Sequence, residues 1–124
     1  TTLGPNDLAS LNFQNYIYVS NTILGSNYEN MPNQYLLHQN YPNPFNPITT
    51  LRYNVPEKIF IRISIFDISG NLIKMLVNEV KNAGFYSARW GAINDNGQPV
   101  SAGVYFYKIQ AGNFVDTKKM ILLK

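Results

Sequence analysis

From Tyr35 onward, apolar and polar residues alternate with a period of two over short stretches, and turn-forming residues separate these stretches at intervals of about ten. That spacing predicts a sandwich of short strands and argues against βαβ units. Seven strands are expected: Tyr35 to Gln39, Thr49 to Val55, Ile59 to Asp67, Leu72 to Val77, Gly84 to Trp90, Val104 to Ala111, and Phe114 to Leu123. The third carries the clearest signal. Ile59, Ile61, Ile63 and Ile65 fall on one face, toward the core, which leaves Arg62 and Ser64 to face solvent. In the sixth, Val104, Phe106 and Lys108 point one way and Tyr105, Tyr107 and Ile109 the other, so large groups cover both faces.

Turn chemistry agrees with this register. Ser69, Gly70 and Asn71, and the run Asn94 to Gly97, supply residues that tolerate positive φ, and Ala111, Gly112 and Asn113 suit a tight hairpin between the last two strands. Trp90, the only tryptophan, is expected to cap the core. The unbroken apolar run Met120 to Leu123 requires the last strand to be inserted in a sheet, since a free terminus frays.

Between the first two strands lies Tyr41, Pro42, Asn43, Pro44, Phe45, Asn46, Pro47, with three prolines in six residues. Each proline removes a ladder donor and holds its φ near −65°, while Tyr41, Asn43 and Asn46 are pushed toward extended geometry. The run can be neither helix nor central strand. It reads as a stiff crossover whose one large apolar group, Phe45, can act as an anchor.

The chain has 124 residues, 45% hydrophobic and 14% charged, which suits one globular domain plus an appendage. Residues 34–124 are read as the β-domain and residues 1–33 as an upstream linker or the end of a passenger. In that lead, Tyr16 to Val19 form the one strand-like stretch, expected to dock on the module or on a neighbouring chain. Charge divides at a nearby point. Up to Leu51 only Asp7 and Glu29 are charged; from Arg52 onward ten basic residues meet five acidic ones, a net +5. The cations are scattered along strands without a clustered arm or stacking motif, which disfavours a nucleic-acid role. No apolar run is long enough for a membrane span, and TTLGPNDL has neither the basic region nor the apolar stretch of a leader, so any leader is expected upstream.

Candidate chemistry is sparse. With no cysteine there is no disulfide framework, thiolate nucleophile or thiolate metal ligand. His38 is the only histidine; a triad would need Asp67 or Asp95 beside it, and nothing in the spacing puts them there. Asn94 to Gly97 lack the later bidentate Glu of a calcium loop and read as a hairpin turn. Tyr105 and Tyr107 could share a carbohydrate-stacking surface, although core filling explains them more simply. No catalytic, cofactor-binding or metal-binding residue is assigned, and the chain is not read as an enzyme.

The run YPNPFNPITT, joined to GVYFYKIQAGNFVDTKKMILLK, closely resembles the C-terminal sorting domain of type IX (Por) secretion cargo. Between these ends the landmarks Arg52, Tyr53, Pro56, Glu57, Phe66, Asp67, Gly70, Leu76, Val77, Ala83, Gly84, Tyr86 and Trp90 follow in the family order, over roughly Gln34 to Lys124. Asn71 stands where the family often has Arg, and Gly91 where an acidic residue or Asn is common. The resemblance implies an all-β, immunoglobulin-like antiparallel sandwich of about seven strands, similar also to the immunoglobulin-like domain of the flagellar hook cap. It further implies a module that directs an upstream passenger across the outer membrane of a diderm bacterium. The implied partners are the outer-membrane translocon and a sortase-like protease, with passage through the periplasm, later cleavage and surface attachment. Candidate recognition residues are Pro42, Asn43, Pro44 and Phe45 of the crossover and Lys108, Lys118, Lys119 and Lys124 of the last hairpin. The alternative is an immunoglobulin-like adhesion or accessory binding module. Exposed sheet edges would allow two such modules to pair.

Overall fold

A computed structural model describes residues 30–124; the strand expected at Tyr16 to Val19 lies outside the described residues. Pro32–Lys124 form one compact unit of seven antiparallel strands. They are β1 (Leu36–Leu37), β2 (Thr49–Val55), β3 (Ile59–Asp67), β4 (Leu72–Lys81), β5 (Gly84–Trp90), β6 (Gly103–Ala111) and β7 (Phe114–Leu122). Two sheets face each other, a three-stranded one in the order β1-β2-β5 and a four-stranded one in the order β4-β3-β6-β7. The expected all-β sandwich is present. Its fourth strand pairs with β3, whereas in constant-type immunoglobulin domains the fourth strand joins the opposite sheet.

Alternation does most of the sorting. Leu51, Tyr53 and Val55 from β2, Ile61, Ile63 and Ile65 from β3, and Tyr107 and Ile109 from β6 fill the space between the sheets, and Met120 and Leu122 close it from β7. Trp90 is buried at the end of β5 as expected, and its indole Nε1 donates to Ile93 O at 2.8 Å, which satisfies the one polar atom it brings inside. The β6–β7 hairpin pairs Ala111 with Phe114, leaving a two-residue turn in which Gly112 takes a φ of +60°. That left-handed position favours glycine, and a Cβ there would come within 3.1 Å of Ile59 Cδ1. Tyr105 Oη donates to Ser101 O, four residues upstream, in the manner of the tyrosine corner of immunoglobulin-like sandwiches.

Three expectations need correction. Ser64 is buried: β3 is an inner strand, and Met75 on β4 covers the hydroxyl, which donates to Met75 Sδ at 3.5 Å. A register shift at Ile63/Ser64 accompanies this contact. β4 continues past Val77 to Lys81, because Asn78, Glu79 and Val80 pair along β3 while remaining exposed at the sheet edge, where periodicity carries little signal. β1 is shorter than expected, since after the His38 N to Arg52 O bond the register slips by one residue at Gln39 and Asn40, and the chain rejoins β2 only at the isolated bridge between Tyr41 and Thr50.

Candidate functional site

The crossover and the terminal strand are interlocked. Phe45 N donates to Ile121 O at 3.0 Å and Leu123 N donates to Phe45 O at 2.8 Å, forming a parallel bridge between Phe45 and Leu122. Asn43 Oδ1 accepts Ile121 N at 3.0 Å, and Gln39 Nε2 donates to Lys119 O at 2.8 Å. β7 is an edge strand of the four-stranded sheet, so these bonds satisfy backbone groups that would otherwise present an open edge. The Tyr41–Pro42, Asn43–Pro44 and Asn46–Pro47 bonds are all cis.

Phe45 reaches inward, with its ring 5.8 Å from that of Trp90, which in turn meets Tyr105 edge-on at 5.4 Å. This aromatic row plugs one end of the sandwich. Pro42, Asn43 and Pro44 stay exposed above it.

Beneath the crossover lies a buried polar network that sequence reasoning did not find. Asn40 and Thr49 are buried, at 2% and 0% exposure. Asn40 Nδ2 donates to Pro42 O at 3.1 Å and to Thr49 Oγ1 at 2.9 Å, and Thr49 Oγ1 donates to the same carbonyl at 2.8 Å. Gln39 Nε2 donates to Asn40 Oδ1 at 2.7 Å. Tyr107 Oη accepts Asn40 N at 2.7 Å and donates to His38 O at 2.7 Å. Burial pushes the Tyr107 phenol up to about 12, partly offset by the Asn40 N–H. An internal Asn and Thr flanking a proline run were the available signal, but period-two patterning marks only apolar burial.

The candidate lysines do not converge on one point. Lys108 and Lys119 lie on the outer face of the four-stranded sheet, where Lys119 is opposite Phe106 and Lys108 opposite Thr117. Lys118 alternates to the other side, opposite Tyr107, and its Nζ lies 4.0 Å from Asp116 Oδ2. Lys124 is exposed beyond the end of β7.

The remaining polar candidates are occupied by structural bonds. His38 Nε2 lies 3.2 Å from Asn54 Oδ1. Asp67 closes the β3–β4 turn, its Oδ1 accepting Ser69 N and Asn71 N at 2.9 Å, and the Asn71 N–H leads in holding this carboxyl below its ordinary range. Asp95 Oδ1 accepts Met75 N at 3.1 Å and Asp95 N donates to Ile73 O at 3.0 Å, fastening the Asn94 to Gly97 turn to the outer edge of β4. Tyr105 and Tyr107 are buried, so they fill the core and present no stacking surface. Among the described residues no helix is long and apolar enough to cross a membrane.

The sequence model of the secretion system C-terminal sorting domain matches residues 39–123, from the crossover through the interlocked terminal strand. This chain belongs to that family. As a Por sorting domain, it serves to export the protein that carries it to the cell surface or beyond. No curated protein matches the chain. Among solved structures it is similar to part of the dimeric latent PorU from Porphyromonas gingivalis, with TM-score 0.58 and 18% identity over 68% of this chain and 9% of that one. It is also similar to part of PorZ, an essential bacterial surface component of the type-IX secretion system of the same organism, with TM-score 0.49 and 18% identity over 73% of this chain and 11% of that one. The sorting domain thus spans about a tenth of each neighbour's length, and the PorU likeness speaks to the fold alone.

Proposed function

We propose that this module is an address read in the periplasm by the type IX outer-membrane translocon, which then exports a passenger joined to its N-terminal side. A sortase-like protease afterwards removes the module, and the passenger is attached to the surface. The module itself does no chemistry; it supplies a fixed shape. The observation that carries this reading is the lock between Phe45 and the Ile121 to Leu123 segment, which makes the proline crossover and the end of the chain one rigid surface. Pro42, Asn43, Pro44 and Lys119 are exposed along it, and we assign them to recognition, with Phe45 as the anchor that holds them in place.

The test is export of a folded reporter fused ahead of the 124-residue chain in a host that possesses the system. The fusion is expected outside the cell, and deletion of Thr117 to Lys124 is expected to leave it in the periplasm. Because removing β7 also opens the core, Lys118→Ala combined with Lys119→Ala is the sharper variant: reduced export with unchanged thermal stability supports surface recognition. Full export of the truncated fusion would remove the proposal and leave an accessory immunoglobulin-like module as the better account.

A further inference from the structure

Among the described residues, the outer face of the four-stranded sheet carries charge of one sign only. Core residues Ile61, Ile63 and Ile65 alternate with outward Arg62 on β3, and the same alternation turns Lys108 on β6 and Lys119 on β7 to that side. None of the five acidic residues of the described region joins them. Glu57 sits in a turn and Asp95 in the β5–β6 connection, Asp67 ends β3 opposite the core residue Tyr105, and Glu79 and Asp116 lie opposite the core residues Ile61 and Ile109 and therefore project from the edge strands to the other side. Among the described residues no carboxylate lies within ion-pair distance of Arg62, Lys108 or Lys119.

Two of these cations are seated on aromatic rings. The Arg62 guanidinium lies 5.5 Å from the Phe60 ring centre and Lys108 Nζ lies 5.6 Å from that of Phe66. Phe66 is paired with Phe106, itself opposite Lys119, so a half-buried aromatic row runs across the sheet beneath the charges. A cation resting on a ring keeps its charge while losing freedom, which lowers the ordering cost of pairing with a fixed anion. The outer face of the three-stranded sheet differs. It is narrower, and although it carries Arg52 and Arg89 with Thr50, Asn54, Ser87 and an exposed Phe85, among the described residues neither arginine is seated on an aromatic ring.

The geometry points to this face as a docking surface for an acidic patch on a folded protein of the export machinery, an inference that rests on the sorting role proposed above. A protein partner fits better than an anionic lipid layer. The rings of Phe66 and Phe106 are half-buried and the exposed apolar groups Phe60, Val80 and Val115 are spread over three strands, whereas cations held at fixed strand register suit carboxylates held at fixed positions. The surface is continuous with the crossover lock, because Lys119 belongs to both.

The experiment uses the reporter fused to the full chain in an export-competent host. Arg62→Glu with Lys119→Glu reverses two exposed charges, and Lys58→Glu with Arg89→Glu makes the same charge change away from this face. The first pair is expected to cut export about tenfold or more through like-charge repulsion, and the second to leave it unchanged, with equal thermal unfolding midpoints for both. Lys108→Gln, which keeps the aliphatic stem over Phe66, gives a smaller drop. A photo-crosslinker at Thr117 is expected to capture a component of the translocon, and one at Ser87 to capture none. Export of the Arg62/Lys119 variant at the wild-type level overturns the docking surface while leaving the sorting role standing. Retention of the unaltered fusion overturns both. Binding of the chain to phosphatidylglycerol vesicles that the Arg62/Lys119 variant loses, with no crosslink from Thr117, overturns the protein partner in favour of a lipid surface.

Discussion

Phe45 and Leu122, 77 positions apart in sequence, form a parallel bridge in an otherwise antiparallel fold. Parallel pairing needs a long connection, and here nearly the whole sandwich supplies it. The bridge therefore closes only when β7 has been laid against β6, so the proline crossover acquires its final support last in chain order. The family match covers that same span, from residue 39 to residue 123.

Replacing Phe45 with Ala tests the anchor. The side chain is 2% exposed and packs on Trp90, so removing it leaves a cavity and should cost about 3–5 kcal/mol. Urea unfolding followed by Trp90 fluorescence would show this as a lowered midpoint. A loss under about 1 kcal/mol would mean that the site collapses or that the ring is not packed as described.

Tyr107 and Tyr105 both bury a phenol, with different consequences. Tyr107 Oη satisfies two main-chain groups, Asn40 N and His38 O, whereas Tyr105 Oη satisfies one carbonyl near the surface. Tyr107→Phe strands a buried N–H and should destabilise by about 1–3 kcal/mol, while Tyr105→Phe should cost about 0.5–1.5 kcal/mol. Equal losses in parallel denaturation curves would refute the role assigned to the Asn40 network.

Alkaline pH gives an independent check. Burial raises both Tyr53 and Tyr107 from 10.0 to about 12. Below pH 10 their protons are bound in folded and unfolded chains alike, and their contribution to stability is fully present. Between pH 10 and 12 the unfolded chain releases protons that the folded one keeps, so stability falls by up to about 1.4 kcal/mol per pH unit for each tyrosine. Stability measured from pH 9 to 11 should bend downward near 10, and Tyr53→Phe should flatten the bend. Stability that stays level through pH 11 in the unaltered chain would contradict the burial of these phenols.

How far the sequence was legible follows from which interactions carry a period. Isoleucines at alternate positions in β3 reveal a core face directly, and the turn residues at Gly70, Gly97 and Gly112 all take positive φ. Buried polarity carries no such period. Ser64 looked exposed because its neighbours alternate, yet an inner strand flanked by Met75 and Lys108 covers it. The burial of Asn40 and Thr49 left no mark of this kind, because their partners, a proline carbonyl and a hydroxyl on β6, are chosen by tertiary folding. For the candidate site, the crossover and the last strand were both visible as sequence features. Their contact was not, because a parallel bridge across 77 positions leaves no local trace. Ala92 is a further case: it holds a φ of +60° that nothing in its residue type suggests, set by the turn that brings Ile93 O to Trp90.

Asn43→Ala separates local from global stability at the lock. The Asn43 side chain lies at the surface and caps one amide, Ile121 N, so its loss should cost about 0.5–1.5 kcal/mol overall. Its local effect should be larger. With the cap gone, Ile121 N loses its acceptor, and the adjoining Leu123 N to Phe45 O bond is held by Phe45 alone. Amide exchange should therefore accelerate at Ile121 and Leu123 while staying slow at Ile63 and Ile109, whose strands lie inside the sheet and open only with the whole domain. Uniform acceleration at all four positions would mean that the terminal segment has no opening of its own. Protection unchanged at Ile121 would mean that the Asn43 carbonyl is not its partner in solution.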